Sequence, residues 1–405
     1  MRIGLFHPAL GKPGGAELLC VAQARYLRQA GDDVCFVTFV YDEPVWAERM
    51  EGLEVRVAQH KRWTDGLAWR PRLAKMRRRG ARAIRLMEGV DTVLAFNFPC
   101  SAMLGASTLQ VRKVWQCNEP PRGLYVREAS PVLSARADNA GDQTLDASTA
   151  LWRRQLARAD RSSRLAALRA FDADSVGRLD HVYAISQFSR DNARRIYGRC
   201  AEEAVYPIVR FPPGGRSRTG LDRRQLGVLA HSRLELVKNI DTLIRGFAEF
   251  QPACPGSHLH VVGEGPARES LQELAAQQLP AGSFTFHGYL PENALRRVYD
   301  ACDVFALLPL DEPFGMVFPE AAAKGLLLIG PDHGGPLEIL DGGRLGWCVD
   351  AFEPQALAHA LSEAASLSDT EADRRRVAVD RACRARFSEQ VVGPLLRRTV
   401  MQGRD

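Results

Sequence analysis

Two glutamates, Glu312 and Glu320, stand eight positions apart in a segment whose residue types suit the binding of hydroxyl groups. A carboxylate accepts hydrogen bonds with both oxygens, so a pair of carboxylates can hold the hydroxyls of a sugar. Pro313 disfavours a helix at the first carboxylate, whereas Pro319 suits the first turn of a helix and Gly325 suits its end. The spacing therefore predicts Glu312 on a loop and Glu320 in the opening turn of a short helix.

The apolar run over residues 304–308 places this segment at the end of a buried parallel strand. Open α/β sheets bind ligands at such carboxyl ends. Backbone amides at Gly315, Met316 and Val317 would face a ligand there, and the positive end of the helix dipole favours a phosphate. A phosphorylated sugar suits both the carboxylates and the amides. A glutamate in a first helical turn also stabilises the dipole without any ligand, which leaves a structural role open.

Two cations, Arg233 and Lys238, follow a second apolar run that begins at Leu226. This pattern predicts a strand that ends in a loop, with a cation in the loop and another at a helix start. Charge-assisted contacts from such cations to a diphosphate are worth roughly 1.5 to 3 kcal/mol each. In an arginine-rich chain, two solvated surface cations are an equally good interpretation.

Two further predicted strands end in glycine-containing turns. A strand over 258–262 leads into Gly263 and Gly265, and glycine there would let the backbone approach a ligand. A strand over 284–287 leads into Gly288, where backbone groups could recognise a nucleotide base. The residues at this second strand end are His287, Gly288 and Tyr289. Each turn considered alone is typical of an ordinary loop.

The first predicted strand, over residues 3–6, is also followed by glycines. The loop ends in Gly14 and Gly15, and a helix is predicted from Ala16 to Ala30. Glycine amides at a helix N-terminus could hold a phosphate. The loop lacks the Gly-x-Gly-x-x-Gly of dinucleotide sites and the Gly-Lys-Ser/Thr of the P-loop, so a dehydrogenase or a nucleoside triphosphatase is disfavoured.

Taken together, these segments resemble glycosyltransferase family 4, whose members have the two-domain GT-B architecture and retain anomeric configuration. The order and spacing of the motifs over most of the chain make the resemblance specific. The motifs are Gly14-Gly15-Ala16-Glu17, Cys117-Asn118-Glu119-Pro120-Pro121, Arg233 with Lys238, Gly263-Glu264-Gly265-Pro266, His287-Gly288-Tyr289, Glu312 to Glu320, and Gly334-Gly335-Pro336 with Glu338.

The resemblance implies a role for each motif. Arg233 and Lys238 would hold the donor diphosphate, with Gly15 behind it, and Glu320 would bind the ribose hydroxyls. Glu312 and the amides of Gly315 to Val317 would hold the transferred sugar. The residues expected in catalysis are Glu312, Arg233, Lys238 and Asn118. The residues expected to bind the donor are Gly14, Gly15, Gly263, Gly265, His287, Gly288, Tyr289, Phe314, Gly315, Met316, Val317 and Glu320.

The chain departs from the family pattern at two positions. Asn118 stands where the family usually has a histidine, and Ser232 stands where it usually has a glycine before the arginine. An amide can hydrogen-bond a sugar hydroxyl, but it does not titrate near neutral pH. His7, close to the glycine loop, could take the place of that histidine, although a single histidine at a strand end more often has a structural role.

The length and composition predict two domains. A chain of 405 residues with 46% hydrophobic residues is too long for one core and long enough for two. We place an N-terminal acceptor-side domain at 1–206, ending in a strand-like run over 203–206, and a nucleotide-sugar donor domain at 207–387. The resemblance implies that 388–405 forms a helix that crosses back to the first domain. Alternating strands and helices predict two doubly wound, Rossmann-like parallel sheets that face each other across a cleft.

The nine cysteines are scattered and include no Cys-x-x-Cys pair, so neither a disulfide framework nor a zinc site is indicated. We expect no metal and no other cofactor, because protein cations in this fold generally neutralise the diphosphate. No signal peptide precedes the first strand, and no apolar stretch approaches 18 residues. The expected compartment is the cytoplasm, with the inner face of the membrane as a possible site.

Two basic segments, 61–85 and 152–169, carry interleaved apolar residues. Between residues 61 and 85 there are ten Lys or Arg and one acid. Amphipathic basic helices of this kind can contact an anionic membrane surface and a lipid-linked acceptor. A solvated helix face is an equally good interpretation. Nucleic-acid binding is disfavoured because no nucleic-acid-binding module accompanies the charge.

The expected function is that of a retaining glycosyltransferase. It would move a hexose of the mannose or glucose type from a UDP- or GDP-linked donor to a hydroxyl of a glycan or lipid-linked acceptor. Two alternatives remain open at this stage: a GT-B sugar-nucleotide hydrolase or epimerase, and a catalytically silent subunit that binds a sugar nucleotide.

Overall fold

Short apolar strands alternate with helices along the chain and build two separate parallel sheets. The structure is a computed structural model, and it describes residues 1–11, 13–58, 73–139, 152–154, 156–157, 162–211 and 225–402. The chain divides into two units. Unit 1 comprises Met1–Pro131, Arg153–Ile208 and Glu389–Asp405, and unit 2 comprises Val132–Trp152 and Val209–Ser388.

The helices follow the strands in regular alternation. In chain order they are α1 (Gly15–Gln29), α2 (Glu43–Trp46), α3 (Leu73–Arg85), α4 (Cys100–Gly105), α5 (Pro131–Asn139), α6 (Ser163–Gly177), α7 (Gln187–Tyr197), α8 (Ile240–Phe250), α9 (Arg268–Gln278), α10 (Glu292–Ala301), α11 (Val317–Ala323), α12 (Gly334–Ile339), α13 (Pro354–Ser366), α14 (Asp369–Phe387) and α15 (Glu389–Met401). Short 3₁₀ helices span Glu48–Met50, Leu236–Lys238, Gln251–Ala253 and Asp341–Gly343.

Unit 1 is built around a sheet whose neighbouring strands all run parallel. The strands are β1 (Arg2–His7), β2 (Asp33–Thr38), β3 (Glu54–Val57), β4 (Thr92–Ala95), β5 (Arg112–Cys117) and β6 (His181–Ala184). Their order across the sheet is β3-β2-β1-β4-β5-β6. β1 is buried at every position after Arg2, as expected for a central parallel strand covered on both faces.

Unit 2 repeats this topology. Its strands are β7 (Gly227–His231), β8 (His258–Val262), β9 (Phe284–Gly288), β10 (Val304–Ala306), β11 (Leu327–Pro331) and β12 (Trp347–Val349). Their order is β12-β11-β10-β7-β8-β9, and all the pairs are parallel. The predicted pair of doubly wound parallel sheets is therefore confirmed.

The strand order reverses direction once in each sheet. In unit 1 the reversal lies between β1 and β4, and in unit 2 it lies between β7 and β10. Loops leave such a pair of strands in opposite directions, which opens a crevice at their carboxyl ends where α/β proteins bind ligands. The residues that follow β7 and β10 therefore hold the best position for a site within unit 2.

The boundaries of the units differ in detail from the sequence-based ones. The chain passes from unit 1 to unit 2 between Ile208 and Val209. The expected strand over 203–206 does not form; Val205 donates a single backbone hydrogen bond to Ala184 at the end of β6. Residues Val132–Trp152 belong to unit 2, although nothing in their sequence indicates it, because their partners lie far along the chain.

Only parts of the two basic segments fall within the described ranges. Residues 61–72, 155 and 158–161 lie outside them. α3 places Met76 and Ala83 in the core and leaves Arg77, Arg78 and Arg82 exposed, so this part of the first segment is an amphipathic basic helix. Within the described residues, no helix is both long enough and apolar enough to cross a membrane.

The C-terminal helix α15 packs on unit 1. Arg397 donates to the buried carboxylate of Asp32, with Nε and Oδ2 2.8 Å apart, and Asp32 also accepts from the N-terminal ammonium at 3.2 Å. Gly393 lies directly against the ring of Tyr26 in α1, where a Cβ atom would overlap the ring carbons. The lack of a side chain at Gly393 thus sets how closely α15 approaches α1.

We predict that Gly393→Ala destabilises the protein by about 1 to 3 kcal/mol, because the added methyl overpacks the contact with Tyr26. Urea denaturation of the variant would measure the change. Gly177→Ala is the matched control: Gly177 ends α6, is exposed, and has no atom within 4 Å of an added Cβ. This control should be neutral or slightly stabilising. Equal stabilities for the two variants would contradict the packing of α15 on α1.

Candidate functional site

The loops after β7 and β10 bring Lys238 and Glu312 together. Glu312 lies six residues beyond the end of β10, on a loop as predicted, and Lys238 ends the 3₁₀ helix Leu236–Lys238 after β7. The Lys238 Nζ atom is 2.5 Å from the Glu312 Oε2 atom. Residues 74 positions apart in sequence therefore meet at the point where the strand order of unit 2 reverses.

Both charges of this ion pair remain partly accessible. The side chains of Lys238 and Glu312 are 24% and 18% exposed. Partial burial strengthens a charge-assisted hydrogen bond, since less water competes for it. The remaining exposure leaves the ammonium able to contact an anion and the carboxylate able to accept from hydroxyl groups. The pair thus offers one group for a phosphate and one for a sugar.

Arg233 does not join this pair. Its side chain is 72% exposed and pairs with Glu235, with Nη2 and Oε1 2.8 Å apart. The resemblance implies that Arg233 and Lys238 together hold the donor diphosphate. In this structure the two side chains have different partners: Arg233 pairs with Glu235 and Lys238 pairs with Glu312. Its exposed guanidinium gives Arg233 five N–H donors, so the contact with Glu235 leaves others for an anion.

Glu320 occupies the first turn of α11, where the sequence placed it. Its carboxyl group lies in a poorly solvated position, and burial raises its pKa to about 7, with Lys324 lowering it by a smaller amount. A carboxylate with such a pKa is half protonated at neutral pH. The surroundings of this half-buried residue therefore disfavour its charge unless hydroxyl donors compensate for the lost water.

A polar pair that the sequence did not reveal lies beside Glu320. The Tyr299 hydroxyl in α10 and the His231 Nδ1 atom at the end of β7 are 3.0 Å apart. Burial, and next the charge of Glu320, raise the pKa of Tyr299, so these groups are close enough to interact. Burial lowers the pKa of His231 to about 4, which keeps its ring neutral. Only the position of His231 at a strand end could have suggested it.

The glycine pair at the start of α12 holds the Glu312 loop in place. The Gly335 amide donates to the Glu312 carbonyl at 2.8 Å. A Cβ atom at Gly335 would overlap the backbone of Pro313 and Phe314, and Gly334 has a φ of +72°. Glycine is therefore required here for a close approach between two backbone segments. The sequence marked this pair only through the family resemblance.

The glycines of the turn after β8 also permit a close approach between two backbone segments. A Cβ at Gly263 would overlap the Ser232 carbonyl oxygen, and one at Gly265 would overlap the Leu234 carbonyl. The Ser232 amide donates to Val262 at 3.1 Å in the same contact. The sequence-based interpretation assigned these glycines to a ligand. In the structure they let the turn approach the loop after β7, because that loop fills the adjacent space.

The end of β9 presents three different environments. The His287 Nε2 atom is 3.0 Å from Nδ1 of His260 on the neighbouring strand β8. Gly288 has a φ of +69° and faces the ion pair between Glu264 and Arg268. Tyr289 follows with 74% of its surface exposed. Of this predicted base-recognition motif, only Tyr289 presents a large accessible side chain.

The corresponding edge of unit 1 carries Gly14, Gly15 and His7. Gly14 and Gly15 begin α1, close to the predicted start. His7 is buried at the end of β1, and its Nδ1 atom accepts from the Ala9 amide at 3.3 Å. Burial lowers the pKa of His7 to about 4, so the ring is neutral and its proton lies on Nε2. The Nε2 atom is 4.0 Å from Oε1 of Glu17.

Asn118 is part of a buried chain of side-chain amides. Its Oδ1 atom accepts from Gln116 at 2.9 Å, and its Nδ2 atom donates to Asn97 at 3.1 Å. Gln116 in turn accepts from Gln23 at 2.7 Å and from Tyr183 at 2.8 Å. The sequence did not indicate Asn97, Gln23 or Gln116. For Gln23 and Gln116, polarity inside the apolar elements α1 and β5 was the one available signal, since buried polar groups need partners.

Among the residues that the structure describes, no group of three or more His, Cys, Asp or Glu side chains is arranged to hold a metal ion.

Two sequence-family models match the chain. A model described as "Glycosyltransferase Family 4" matches residues 13–209, and a model described as "Glycosyl transferases group 1" matches residues 216–380. Together they cover most of the chain, one for each half. The resemblance proposed from the motifs is thereby confirmed.

Curated relatives match about half of this chain. A D-inositol 3-phosphate glycosyltransferase of Corynebacterium kroppenstedtii is 30% identical over 223 residues, which is 50% of this chain and 48% of that protein. A GDP-mannose-dependent alpha-(1-6)-phosphatidylinositol monomannoside mannosyltransferase of Mycolicibacterium smegmatis is 32% identical over 216 residues, which is 49% of this chain and 55% of that protein. The chain thus spans about half the length of these relatives.

Solved structures match over nearly the whole chain. Anabaena Alr3699/HepE in complex with UDP and glucose gives a TM-score of 0.72 at 17% identity, covering 98% of this chain and 99% of that one. Sucrose-phosphate synthase of Thermosynechococcus elongatus gives a TM-score of 0.73 at 16% identity, covering 98% and 97%. At these identities the likeness concerns the fold alone, and the predicted GT-B fold is confirmed.

We predict that Glu320→Gln becomes more stabilising, relative to the native protein, as the pH rises from 5 to 8. The folded protein holds the Glu320 proton up to a pKa of about 7, whereas the unfolded chain releases it near its ordinary value. Native stability therefore falls between these two values as the pH rises, by at most about 3 kcal/mol.

Urea denaturation of both proteins at pH 5 and pH 8 tests this expectation. All other titrating groups are shared, so the change in the stability difference isolates Glu320. A difference that is the same at both pH values would mean that the Glu320 carboxyl is well solvated.

Proposed function

We propose, from the premise that this chain belongs to glycosyltransferase family 4, that it transfers a hexosyl group from a nucleotide diphosphate sugar to a hydroxyl of a glycan or lipid-linked acceptor. The transfer retains the anomeric configuration of the donor. The observation that carries this proposal is the Lys238–Glu312 ion pair at the reversal of strand order in unit 2, with Glu320 on the following helix.

In this proposal each member of the ion pair binds a different part of the donor. The Lys238 ammonium contacts the diphosphate, whose negative charge grows as it leaves. Glu312 then accepts from hydroxyls of the transferred sugar. Stabilisation of the developing charge by a prearranged cation is the largest contribution to the rate. The ion pair prearranges both groups before the donor arrives.

The chemical step is a front-face displacement. The bond between the anomeric carbon and the diphosphate oxygen breaks, and a bond from the acceptor oxygen forms on the same face. The acceptor proton passes to the departing phosphate oxygen. Glu320 accepts hydrogen bonds from the ribose hydroxyls. These hydrogen bonds stabilise its carboxylate, which is poorly solvated in the protein without donor. By the family resemblance, Gly14 and Gly15 contact the diphosphate and Asn118 contacts the sugar.

The relatives support a particular kind of donor and acceptor. One relative is named as GDP-mannose-dependent and acts on a phosphatidylinositol monomannoside, and one structural neighbour holds UDP and glucose. We therefore propose a mannosyl or glucosyl donor linked to GDP or UDP, with no other cofactor. The exposed arginines of α3 favour an anionic membrane surface as the place where a lipid-linked acceptor is met, at the inner face of the cytoplasmic membrane.

We predict that the product of an α-linked donor is α-linked and that it forms in excess EDTA, since protein cations neutralise the diphosphate. The one-bond carbon–proton coupling at the anomeric carbon, measured by NMR, assigns the product. A β-linked product would exclude retention, and activity lost in EDTA and restored by Mn²⁺ would exclude the metal-free step. Free sugar or an epimerised donor as the only product would favour the hydrolase or epimerase alternative. Donor binding without turnover would favour the silent subunit.

We predict that Lys238→Ala lowers kcat by about 100-fold or more, because it removes a donor to the developing negative charge. Arg233→Ala should lower kcat much less, by about tenfold at most, because the Arg233 guanidinium is largely solvated and its charge is partly offset by Glu235. Arg296→Ala is the control, since Arg296 is a 68% exposed cation paired with Asp300 in the same unit. Equal losses for Lys238→Ala and Arg296→Ala would remove Lys238 from the site.

A further inference from the structure

The start of α5 departs from the pattern that its own sequence predicts. Ser130 precedes Pro131, a combination typical of a serine N-cap followed by proline in the first helical position. Ser130 is buried, yet its hydroxyl has no hydrogen-bond partner within the described ranges. The Ser130 hydroxyl, which could cap α5, therefore does not accept from the amides of that helix.

A carboxylate from a distant part of the chain takes its place. The Asp311 Oδ1 atom accepts from the Val132 amide at 3.1 Å, and Oδ2 accepts from the Leu133 amide at 3.0 Å. These are the second and third amides of α5, the donors that an N-cap side chain normally satisfies. The negative charge also suits the positive end of the helix dipole. Asp311, whose side chain is fully buried, is therefore a capping residue supplied 179 positions downstream.

Asp311 is also the residue that precedes Glu312. Its backbone is left-handed, with a φ of +52°, which few residues other than glycine, asparagine and aspartate adopt. Its amide donates to the Nε2 atom of His333 at 3.3 Å. One residue later, the Glu312 carbonyl accepts from Gly335 at 2.8 Å. The direction of the chain at Glu312 is thus set by contacts on both sides of Asp311.

The helix that Asp311 caps is anchored in unit 2 at a second point. The Arg136 guanidinium lies over the ring of Phe352, 4.6 Å from its centroid, and Leu133 is buried. The chain enters this segment from unit 1 at Val132 and returns to unit 1 after Trp152. The Asp311 carboxylate therefore ties the Glu312 loop to α5 within unit 2.

We infer that Asp311 is a positioning residue for transfer: its carboxylate, bound to the N-terminus of α5, holds Glu312 in the place from which it meets Lys238 and the donor sugar. This inference rests on the proposed function. It makes the placement of the sugar dependent on the docking of α5, which follows the Cys117–Pro121 motif in the chain. Binding of the nucleoside diphosphate depends on it much less, because Lys238 and the ribose carboxylate Glu320 are carried by their own helical elements.

Two substitutions distinguish the effect of the Asp311 side chain from that of its left-handed backbone. Asp311→Asn keeps a residue that tolerates a left-handed backbone and replaces one of the two acceptor oxygens with a donor. Asp311→Gly keeps the backbone conformation without strain and removes the cap entirely. Asp341→Asn is the matched control, since Asp341 has a φ of +53° in the same unit and pairs with Arg344 in an exposed position. Ser130→Ala is the second control, because it deletes the unused hydroxyl.

Three measurements are made on each full-length variant: kcat with a saturating donor, the dissociation constant of the nucleoside diphosphate, and hydrogen exchange of peptides covering 131–139 and 310–318. We expect Asp311→Asn and Asp311→Gly to lower kcat by roughly 10- to 100-fold, as small displacements of a reacting group do. The dissociation constant of the nucleoside diphosphate should change by less than about twofold, since Glu320 and Lys238 lie on other elements, α11 and the 3₁₀ helix after β7. Both peptides should exchange faster, and both controls should match the native protein.

The outcomes show whether Asp311 positions Glu312 or only caps α5. If kcat per folded molecule is unchanged in both Asp311 variants, or if exchange rises in 131–139 alone, Asp311 caps the helix without positioning Glu312, and the inference is overturned. If the native protein shows no transfer, the proposed function fails on its own. The exchange of 310–318 in the Asp311 variants then supports or overturns the tie between α5 and the Glu312 loop.

Discussion

The strands β7 and β10 are parallel neighbours, and the rest of unit 2 depends on this pairing. Because the order of strands reverses between them, the loops that follow diverge and leave a crevice at their carboxyl ends. The 3₁₀ helix after β7 carries Lys238 into that crevice, and the loop after β10 carries Glu312. Their contact at 2.5 Å leaves one cation and one carboxylate partly accessible at the same point. The neighbouring glycine turns and helix starts all serve to keep these two loops in position.

Close contact between backbones, rather than side-chain packing, holds the loops of the site. Gly335 meets the backbone at Phe314, and Gly263 and Gly265 meet the loop after β7, at distances that no Cβ atom would allow. Such contacts form hydrogen bonds between main-chain groups and leave side chains free to point toward a ligand. Contacts between backbones therefore hold the Glu312 loop and the turn after β8 in place.

Burial favours the neutral form of titrating groups in both units. It raises the pKa of Glu320 to about 7, which makes the free carboxylate unfavourable and a partner with hydroxyl donors favourable. It lowers the pKa of His7 and of His231 to about 4, which keeps both rings neutral. Asn118, already neutral, is held by amide partners on both sides. His7, His231 and Asn118 thus act as neutral hydrogen-bonding groups at the ends of their strands.

The sequence by itself determined the features that rest on local chemistry. Proline and glycine act within a few residues, so Glu312 on a loop, Glu320 in a first helical turn and the start of α1 were all predictable. Alternation of strands and helices determined the two doubly wound sheets in the same way. Only the tertiary structure decided which distant groups meet: Arg233 pairs with Glu235 and leaves Lys238 to Glu312, and Asp311 caps a helix 179 positions upstream in place of its own serine. Such partners depend on how whole helices and strands pack, and patterns of neighbouring residues do not predict this packing.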